Sequence, residues 1–286
     1  MTRLILNADD FGLTRGVNQS ILDLHRRGAL TSATLMATAD HTDEAASGVT
    51  DSGLGVGCHV VLVDGRPALP SSRIPALAPN GEFRPILGAF VLDLIRGHIP
   101  ESQIEVEAIA QIRRLQKAGI HPTHVDTHKH AHMFPRVLRP LICAALQCGV
   151  RAIRNPFEPD WAIHATPHAP PLRRIQVRAL RTQRRAFLRL VKEAGLTTTD
   201  GAIGVVATGT LNAETVQSLL TTMPSGTWEL VCHPGHLDPS LEKVHTRLRE
   251  SRAVEHVALL ETVPAFLSGH LEVAPIHFGQ LAEGTK

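Results

Sequence analysis

The segment HVDTHKHAHMFP, residues 124–135, carries a histidine or an aspartate at every second position from 124 to 132. The five alternating residues are His124, Asp126, His128, His130 and His132. On an extended segment, this spacing would direct all five side chains to one face. Imidazole is a common metal ligand and titrates near neutral pH, so the segment predicts a metal-dependent site. A surface histidine-rich tract is the alternative. It is disfavoured because Asp126 interrupts the run and a proline ends it.

Polar residues also follow apolar runs elsewhere in the chain. Residues 3–8 predict a buried strand that stops at Asp9 and Asp10. The run of residues 54–63 predicts a strand containing His59, and that of residues 227–232 predicts a strand ending at His233. Taken separately, the aspartates are also typical of a turn or a helix N-cap. The two histidines are equally typical of packed residues, so the argument depends on all the clusters lying together.

Helical patterns separate these strands. They predict helices over residues 14–27, 43–48, 86–96, 101–118, 137–147, 172–194 and 213–222, and within 241–261. Further strands are predicted over residues 33–37, 150–154, 202–207 and 271–276. The alternation, without repeats or a break in composition, predicts a parallel β/α barrel formed by one domain over residues 1–286. Because such barrels place their active sites at the carboxyl ends of their strands, we expect the polar clusters to converge there.

Composition narrows the class of protein. The 286 residues are 43% hydrophobic and 20% charged with a net charge of +2, which is typical of a globular protein and gives no indication of nucleic-acid binding. The chain contains no tyrosine, which argues against a base-stacking surface. Its four cysteines lack zinc-finger spacing, and we expect them to be reduced. No signal peptide or membrane-spanning run is recognisable, which predicts a cytoplasmic protein.

The clusters could support hydrolysis. A catalytic divalent metal commonly takes three protein ligands and leaves a position open for water. One aspartate of the pair at residues 9 and 10, His59 and one histidine of the central segment would supply that set. The other aspartate could then take a proton from water, and His233 could protonate a leaving group. One carboxylate with two imidazoles favours zinc over magnesium.

Four blocks together resemble the YdjC-like carbohydrate deacetylases. They are NADDFG at residues 7–12, GVGCHVVL at 55–62, THVDTHKHAHMFP at 123–135 and ELVCHPG at 229–235, in the order found in that family. The resemblance implies a distorted (β/α) TIM-like barrel of the glycoside hydrolase/deacetylase type. It also implies hydrolysis of the N-acetyl group of an amino sugar, with release of acetate.

The resemblance also implies a role for each residue. Asp10, His59 and His128 would bind one divalent metal ion, with Zn²⁺ favoured and Mg²⁺ as the alternative. Asp9 would be the general base, and His233 is our candidate for the general acid. Three residues would act on the ligands or the substrate from nearby: Asp126 by orienting them, and His130 and His132 by contacting the sugar or acetyl group. His124 could simply be a packed strand residue.

Two further segments bear on the substrate. Residues 172–194 carry eight arginine or lysine side chains among apolar ones, which predicts a basic helix. Residues 65–85 are rich in Pro, Ser and Gly and predict a long loop. Such a helix can lie on an anionic membrane, although a barrel helix with a solvated basic face explains the pattern too. The overall pattern resembles the hopanoid-biosynthesis branch of the family. This implies an N-acetylglucosaminyl hopanoid lipid as substrate and peripheral contact with the inner membrane.

Other interpretations stay open. The same chemistry could act on soluble chitooligosaccharides such as diacetylchitobiose. A non-catalytic metal- or sugar-binding protein could keep the same fold. A cysteine–histidine hydrolase using Cys58 or Cys232 is disfavoured, because thiols inside apolar strands are usually inert. The chain contains no GxSxG serine-hydrolase motif and no GxxxxGK[ST] phosphate-binding motif. Both a monomer and a homodimer are compatible with the sequence.

Overall fold

The computed structural model describes residues 2–284 and confirms the predicted parallel β/α barrel. The strands are β1 (Thr2–Phe11), β2 (Ser32–Leu35), β3 (Gly55–Val60), β4 (Val125–Thr127), β5 (Gly201–Ile203), β6 (Thr227–Cys232) and β7 (Val273–Pro275). They form one sheet in the order β4-β3-β2-β1-β6-β5, and β7 pairs with the start of β1. All of these pairings are parallel.

Helices cover this sheet. They are α1 (Arg15–Arg26), α2 (Thr42–Gly48), α3 (Leu87–Ile95), α4 (Glu101–Lys117), α5 (Pro135–Gln147), α6 (Asp160–Ala165), α7 (Pro171–Leu180), α8 (Arg184–Glu193), α9 (Ala213–Thr222), α10 (Pro239–Glu242) and α11 (Glu250–Gly269). Side-chain caps explain where two of these helices begin. Thr14 caps α1 by accepting a hydrogen bond from the Val17 amide, and Asn212 caps α9 in the same way. Within residues 2–284, none of these helices is both long and apolar enough to cross a bilayer.

The sheet curls because its two edges are linked. Val125 of β4 forms a parallel bridge with Ile153, and Ala152 forms another with Thr197. The chain then continues into β5, which pairs with β6. The wall between β4 and β5 therefore consists of isolated bridges rather than full strands, and the barrel is distorted on this side.

Two predicted strands are shorter than expected. The strand predicted over residues 150–154 is reduced to the bridges of Ala152 and Ile153. The strand predicted over residues 202–207 ends at Ile203 because the Glu158 carboxylate accepts hydrogen bonds from the amides of Gly204 (2.7 Å) and Val206 (2.6 Å). A side chain thus takes the place of a neighbouring strand at these amides.

The central histidine segment is not one extended face, and that prediction is wrong. β4 ends at Thr127, and His128–Met133 form a 3-10 turn in which Lys129 and His130 have φ values of 56° and 53°. The Thr127 hydroxyl accepts a hydrogen bond from the His132 amide at 2.9 Å and lies 2.8 Å from Nδ1 of the His132 ring. These bonds close the turn and end the strand.

The basic helix predicted over residues 172–194 is two helices, α7 and α8, separated by a 3-10 turn at Arg181–Gln183. α7 buries Val177, whereas α8 buries Phe187 and Val191. Each helix therefore packs with its own buried apolar residues.

Residues 65–85 form a loop that α4 fastens to the barrel. The Glu107 carboxylate accepts hydrogen bonds from the amides of Ala68 (2.7 Å) and Leu69 (3.1 Å). One turn earlier on the helix, the Gln103 side-chain oxygen accepts hydrogen bonds from the amides of Ala76 and Leu77. The loop thus has fixed anchors at two places along its length.

Gly57 shows why β3 needs a glycine in its centre. The His124 ring lies over it and stacks on Phe278 with a centroid distance of 3.7 Å. A Cβ at position 57 would lie 2.3 Å from Cε1 of His124. His124 is therefore a packed strand residue rather than a member of the active site.

We expect Gly57→Ala to destabilise the protein by about 1–3 kcal/mol, because the methyl group must displace a packed ring. In the double variant with His124→Ala, the two costs should be less than additive. Gly88→Ala is the control, since nothing lies within 4 Å of its added Cβ. Chemical denaturation measures the free energy of unfolding of the wild type and of each variant. Full additivity of the costs of Gly57→Ala and His124→Ala would contradict the close contact.

Candidate active site

The carboxyl ends of several strands meet at a cavity of about 710 Å³. Six of the residues predicted for the site line it: Asp9, Asp10, His59, His128, His130 and His233. They come from β1, β3, the turn after β4 and the loop after β6. The structure therefore brings together side chains that lie more than 220 residues apart in the chain.

Asp9 and Asp10 both face the cavity although they are adjacent on one strand. Neighbouring residues of a regular strand point to opposite faces. The pairing of β1 with β2 shifts register between Ala8 and Phe11, and Asp10 has a φ of 63°. This bulge turns the second aspartate to the same side as the first.

Asp10, His59 and His128 form a compact set of potential metal ligands. Oδ1 of Asp10 lies 3.3 Å from Nδ1 of His128 and 3.7 Å from Nε2 of His59. The two imidazole nitrogens are 3.3 Å apart. Oδ1 of Asp10 is buried and has no hydrogen-bond partner. A buried carboxylate oxygen that faces two imidazole nitrogens fits a divalent cation.

Neighbouring charges orient these ligands. Nδ1 of His59 donates to the Asp126 carboxylate at 2.8 Å, which leaves Nε2 directed at Asp10 and His128. Nη2 of Arg252 donates to Oδ2 of Asp10 at 2.6 Å. This contact occupies one oxygen of Asp10 and leaves Oδ1 for a metal. Asp126 therefore lies where a ligand-orienting residue is required.

Asp9 lies in a separate ion-pair network around Arg154. The buried guanidinium binds both oxygens of Asp9, at 2.7 and 2.9 Å, and also contacts Asp126 and Glu229. Burial raises the pKa of the Asp9 carboxyl, but Arg154 and the nearby histidines outweigh it and hold that pKa well below its usual range. Asp9 is therefore an anion at every working pH.

His233 lies across from Asp9. Its Nε2 is 3.8 Å from Oδ2 of Asp9, and its Nδ1 is buried without a hydrogen-bond partner. The Glu255 carboxylate accepts a hydrogen bond from the His233 amide at 2.5 Å, which fixes the loop after β6. Burial is the main reason that the pKa of His233 falls to about 4, so its ring is neutral near pH 7.

The remaining histidines of the central segment have different surroundings. His130 lines the cavity, and its Nδ1 is buried without a partner. His132 is fully buried, bonds to Thr127 and packs near the Phe187 ring. The structure does not place His132 at the cavity, so a direct contact of its side chain with a sugar is not supported.

The thiols do not form a competing site. Cys58 and Cys232 are fully buried. Burial raises the pKa of each of these thiols well above its usual value, so neither forms the thiolate that a nucleophile requires. The geometry thus disfavours the cysteine–histidine interpretation.

Comparisons with known proteins agree with the four sequence blocks. Residues 3–265 match the family described as YdjC-like protein. The chain belongs to this family. A carbohydrate deacetylase of Geobacillus stearothermophilus is 44% identical over 135 residues, which are 46% of this chain and 51% of that protein. A chitooligosaccharide deacetylase of Proteus mirabilis is 38% identical over 154 residues, which are 53% of this chain and 58% of that protein. The matches span about half the length of these curated relatives.

A solved structure from Enterococcus faecalis supports the fold of this YdjC-like protein. It is described as a cellobiose-phosphate cleavage protein and superposes with a TM-score of 0.79. The superposition covers 98% of both chains at 24% sequence identity. The distorted barrel is therefore shared along almost the whole chain.

The sequence patterns did not identify the cations that organise the site of this YdjC-like protein. Arg154 stands at the end of a predicted strand, which is the position that drew attention to Asp9 and His233. The same signal could have identified it. Arg252 lies in the first turn of α11 with no motif around it, so only the folded chain reveals its contact with Asp10.

We expect Arg154→Met to destabilise the protein by about 3–5 kcal/mol at neutral pH, because three buried carboxylates lose their counter-charge. The loss of stability caused by Arg154→Met should become smaller as the pH falls, since protonation neutralises those carboxylates. Arg139→Met is the control, because its ion pair with Glu101 is exposed and should contribute less than about 1 kcal/mol. Urea unfolding at several pH values measures the effect. Equal stability of Arg154→Met and wild type at pH 7 would contradict it.

Metal binding should depend on pH through His59. Burial lowers the pKa of its imidazole, but Asp126, Asp9 and Asp10 outweigh burial and raise that pKa to about 9. Because a metal binds the neutral ring, zinc affinity should rise about tenfold per pH unit between about pH 6 and 8.

Competition with a chromophoric chelator measures this affinity. Asp126→Asn removes the largest source of the raised pKa, so we expect a flatter pH dependence and affinity reduced about 10- to 100-fold. An affinity that is independent of pH in the wild type would show that His59 is not a ligand.

Proposed function

We propose that this chain is a metal-dependent hydrolase that removes the N-acetyl group from an N-acetylglucosamine-containing glycolipid, a hopanoid-linked amino sugar, and releases acetate. The observation that carries the proposal is the Asp10–His59–His128 set facing a cavity, with Asp9 and His233 beside it. Membership of a family whose curated relatives include carbohydrate deacetylases supports the reaction type.

Asp10, His59 and His128 would hold the cation. A divalent ion bound there supplies a Lewis acid that polarises the acetyl carbonyl and increases the acidity of a water molecule. The ligand set of one carboxylate and two imidazoles favours Zn²⁺ over Mg²⁺.

The remaining chemistry belongs to side chains of this protein. Asp9, oriented by Arg154, accepts a proton from water as the water oxygen forms a bond to the acetyl carbon. Because Arg154 keeps its pKa low, Asp9 passes this proton on rather than retaining it. His233, neutral and 3.8 Å away, receives the proton and donates it to the sugar nitrogen as the C–N bond breaks. The products are a free amine and acetic acid, which ionises to acetate.

The cavity walls support a substrate with an apolar part. Away from the polar floor, the cavity is lined by Leu13, Met36, Leu87, Met133, Phe134, Val177, Leu180, Val244 and Leu248. A free chitooligosaccharide offers such walls only the C–H faces of its rings and its acetyl methyl groups, because hydroxyl groups surround each ring. A sugar attached to a lipid could place its reducing end and the first part of its aglycone against them.

Deacetylation of soluble chitooligosaccharides is the second candidate. The chitooligosaccharide deacetylase of Proteus mirabilis favours it, because 38% identity extends over 53% of this chain. The chemistry would be unchanged, and only the use of the apolar walls would differ.

The test is acetate release from an N-acetylglucosaminyl lipid and from N,N′-diacetylchitobiose in parallel, using metal-stripped protein with zinc or magnesium added back. We expect metal-dependent release from the lipid. Release from chitobiose alone would keep the reaction and exclude the lipid-linked substrate. No release from either substrate would overturn the proposal and favour a non-catalytic binding protein.

Variants separate catalysis from binding. Asp9→Asn and His233→Asn should each lower kcat by about 10²–10⁴-fold, the usual contribution of a positioned acid or base. Asp40→Asn is the matched control, since Asp40 is an exposed acid of the same cavity without a role in the reaction. A binding protein predicts no difference among the three. Thermal unfolding of each variant excludes loss of structure as the cause.

A further inference from the structure

The mouth of the cavity is positively charged. Arg66, Lys243 and Arg247 line the cavity and are also exposed to solvent. None of the three forms an ion pair with another side chain in the described part of the chain. The acids nearby are fewer, because Asp64 is already paired with Lys129 at 2.7 Å and only Asp40 is exposed and unpaired. The entrance therefore presents uncompensated cations to whatever approaches it.

Large exposed apolar side chains stand next to cavity-lining residues in the chain. Ile86, Leu172 and Ile175 are 64%, 66% and 62% exposed. Ile86 precedes Leu87, and Leu172 precedes Arg173, and both of these neighbours line the cavity. Ile175 lies on the same helix, one turn along. Leu172 and Ile175 thus form a pair of exposed apolar side chains on the solvent-facing side of α7, whose other side lines the cavity.

The arginines of α7 and α8 do not supply this surface, although the sequence favours them. Six of the eight basic side chains predicted for membrane contact are bound within the protein: Arg173 to Val205, Arg174 to Thr166, Arg178 to His164, Arg181 to Asp160, Arg184 to Asp200 and Arg189 to Glu193. These contacts orient the two helices and the loops around them. Arg66, Lys243 and Arg247 line the cavity itself, so they are the cations that an anionic partner meets at the entrance.

We propose that the mouth of the cavity docks on an anionic phospholipid bilayer. Ile86, Leu172 and Ile175 enter the interfacial region of the lipid, and Arg66, Lys243 and Arg247 face the phosphates around them. The charge of the entrance complements that of the lipid headgroups. The purpose of the docking rests on the proposed function, because a lipid-linked amino sugar would then pass from the bilayer into the cavity without crossing water.

Vesicle flotation tests the surface with the full chain. We compare vesicles of phosphatidylcholine alone with vesicles that also contain phosphatidylglycerol, both without glycolipid. Binding should require the anionic lipid and weaken with salt, because it depends on exposed charges. The double variant Leu172→Asp/Ile175→Asp should bind about tenfold or more weakly, since two apolar anchors become anions.

Leu271→Asp is the matched control. Leu271 is 85% exposed and lies just before β7, which pairs with the start of β1 at the opposite end of the barrel. The Leu271→Asp substitution replaces an exposed leucine by an anion, as each substitution of the double variant does, so we expect binding equal to wild type. A triple variant with Arg66→Gln, Lys243→Gln and Arg247→Gln should lose the preference for anionic vesicles.

Three outcomes would overturn the docking: no capture of the wild type by anionic vesicles, unchanged binding of Leu172→Asp/Ile175→Asp, or a wild-type dimer that this variant dissociates in analytical ultracentrifugation. The last would assign the surface to self-association. Thermal unfolding of each variant close to the wild-type temperature shows that the variants are folded. Vesicle binding without any acetate release would keep the docking surface and refute the proposed function. Acetate release from the lipid-linked substrate without vesicle binding would refute only the docking.

Discussion

The buried guanidinium of Arg154 is the interaction on which the centre of this protein depends. It forms ion pairs with Asp9, Asp126 and Glu229, which come from β1, β4 and β6. Without it, three carboxylates would be confined to the interior of the barrel, where unpaired charge is costly. Asp126 in turn orients His59, so the geometry of the potential metal ligands follows from this cation. The same ion network thus stabilises the centre of the barrel and orients the potential metal ligands.

Backbone geometry adds a second constraint. The bulge in β1 brings Asp10 beside Asp9, and each aspartate then pairs with its own arginine. Arg154 holds both oxygens of Asp9, whereas Arg252 holds a single oxygen of Asp10. One aspartate is therefore a fixed anion for proton transfer, and the other keeps an oxygen for a cation. Two identical neighbouring side chains acquire different roles because their counter-ions differ.

Much of this arrangement could be predicted from the sequence. Apolar runs that end in polar residues indicated parallel strands and located Asp10, His59 and His128 at one end of the barrel. The turn after β4 could not be predicted, because alternation alone does not show that the Thr127 hydroxyl will close it. The contacts of Arg154 and Arg252 depend on residues distant in the chain, and the division of the basic helix depends on the separate buried faces of α7 and α8. Local pattern identifies the ends of strands, whereas ion pairing across the barrel depends on the whole fold.

The attachment of the loop of residues 65–85 to α4 affects how a ligand is recognised. Gln103 and Glu107 fasten this loop through its backbone, and Arg84 extends the anchoring to the carbonyls of Ala76 and Leu77. A segment held in this way has lost most of its conformational freedom before any ligand arrives. Binding at the entrance then requires little ordering of the backbone, so affinity reflects contacts rather than the entropy of closing a flap. The rate of capture should accordingly follow diffusion and charge at the entrance, as in preorganised receptors.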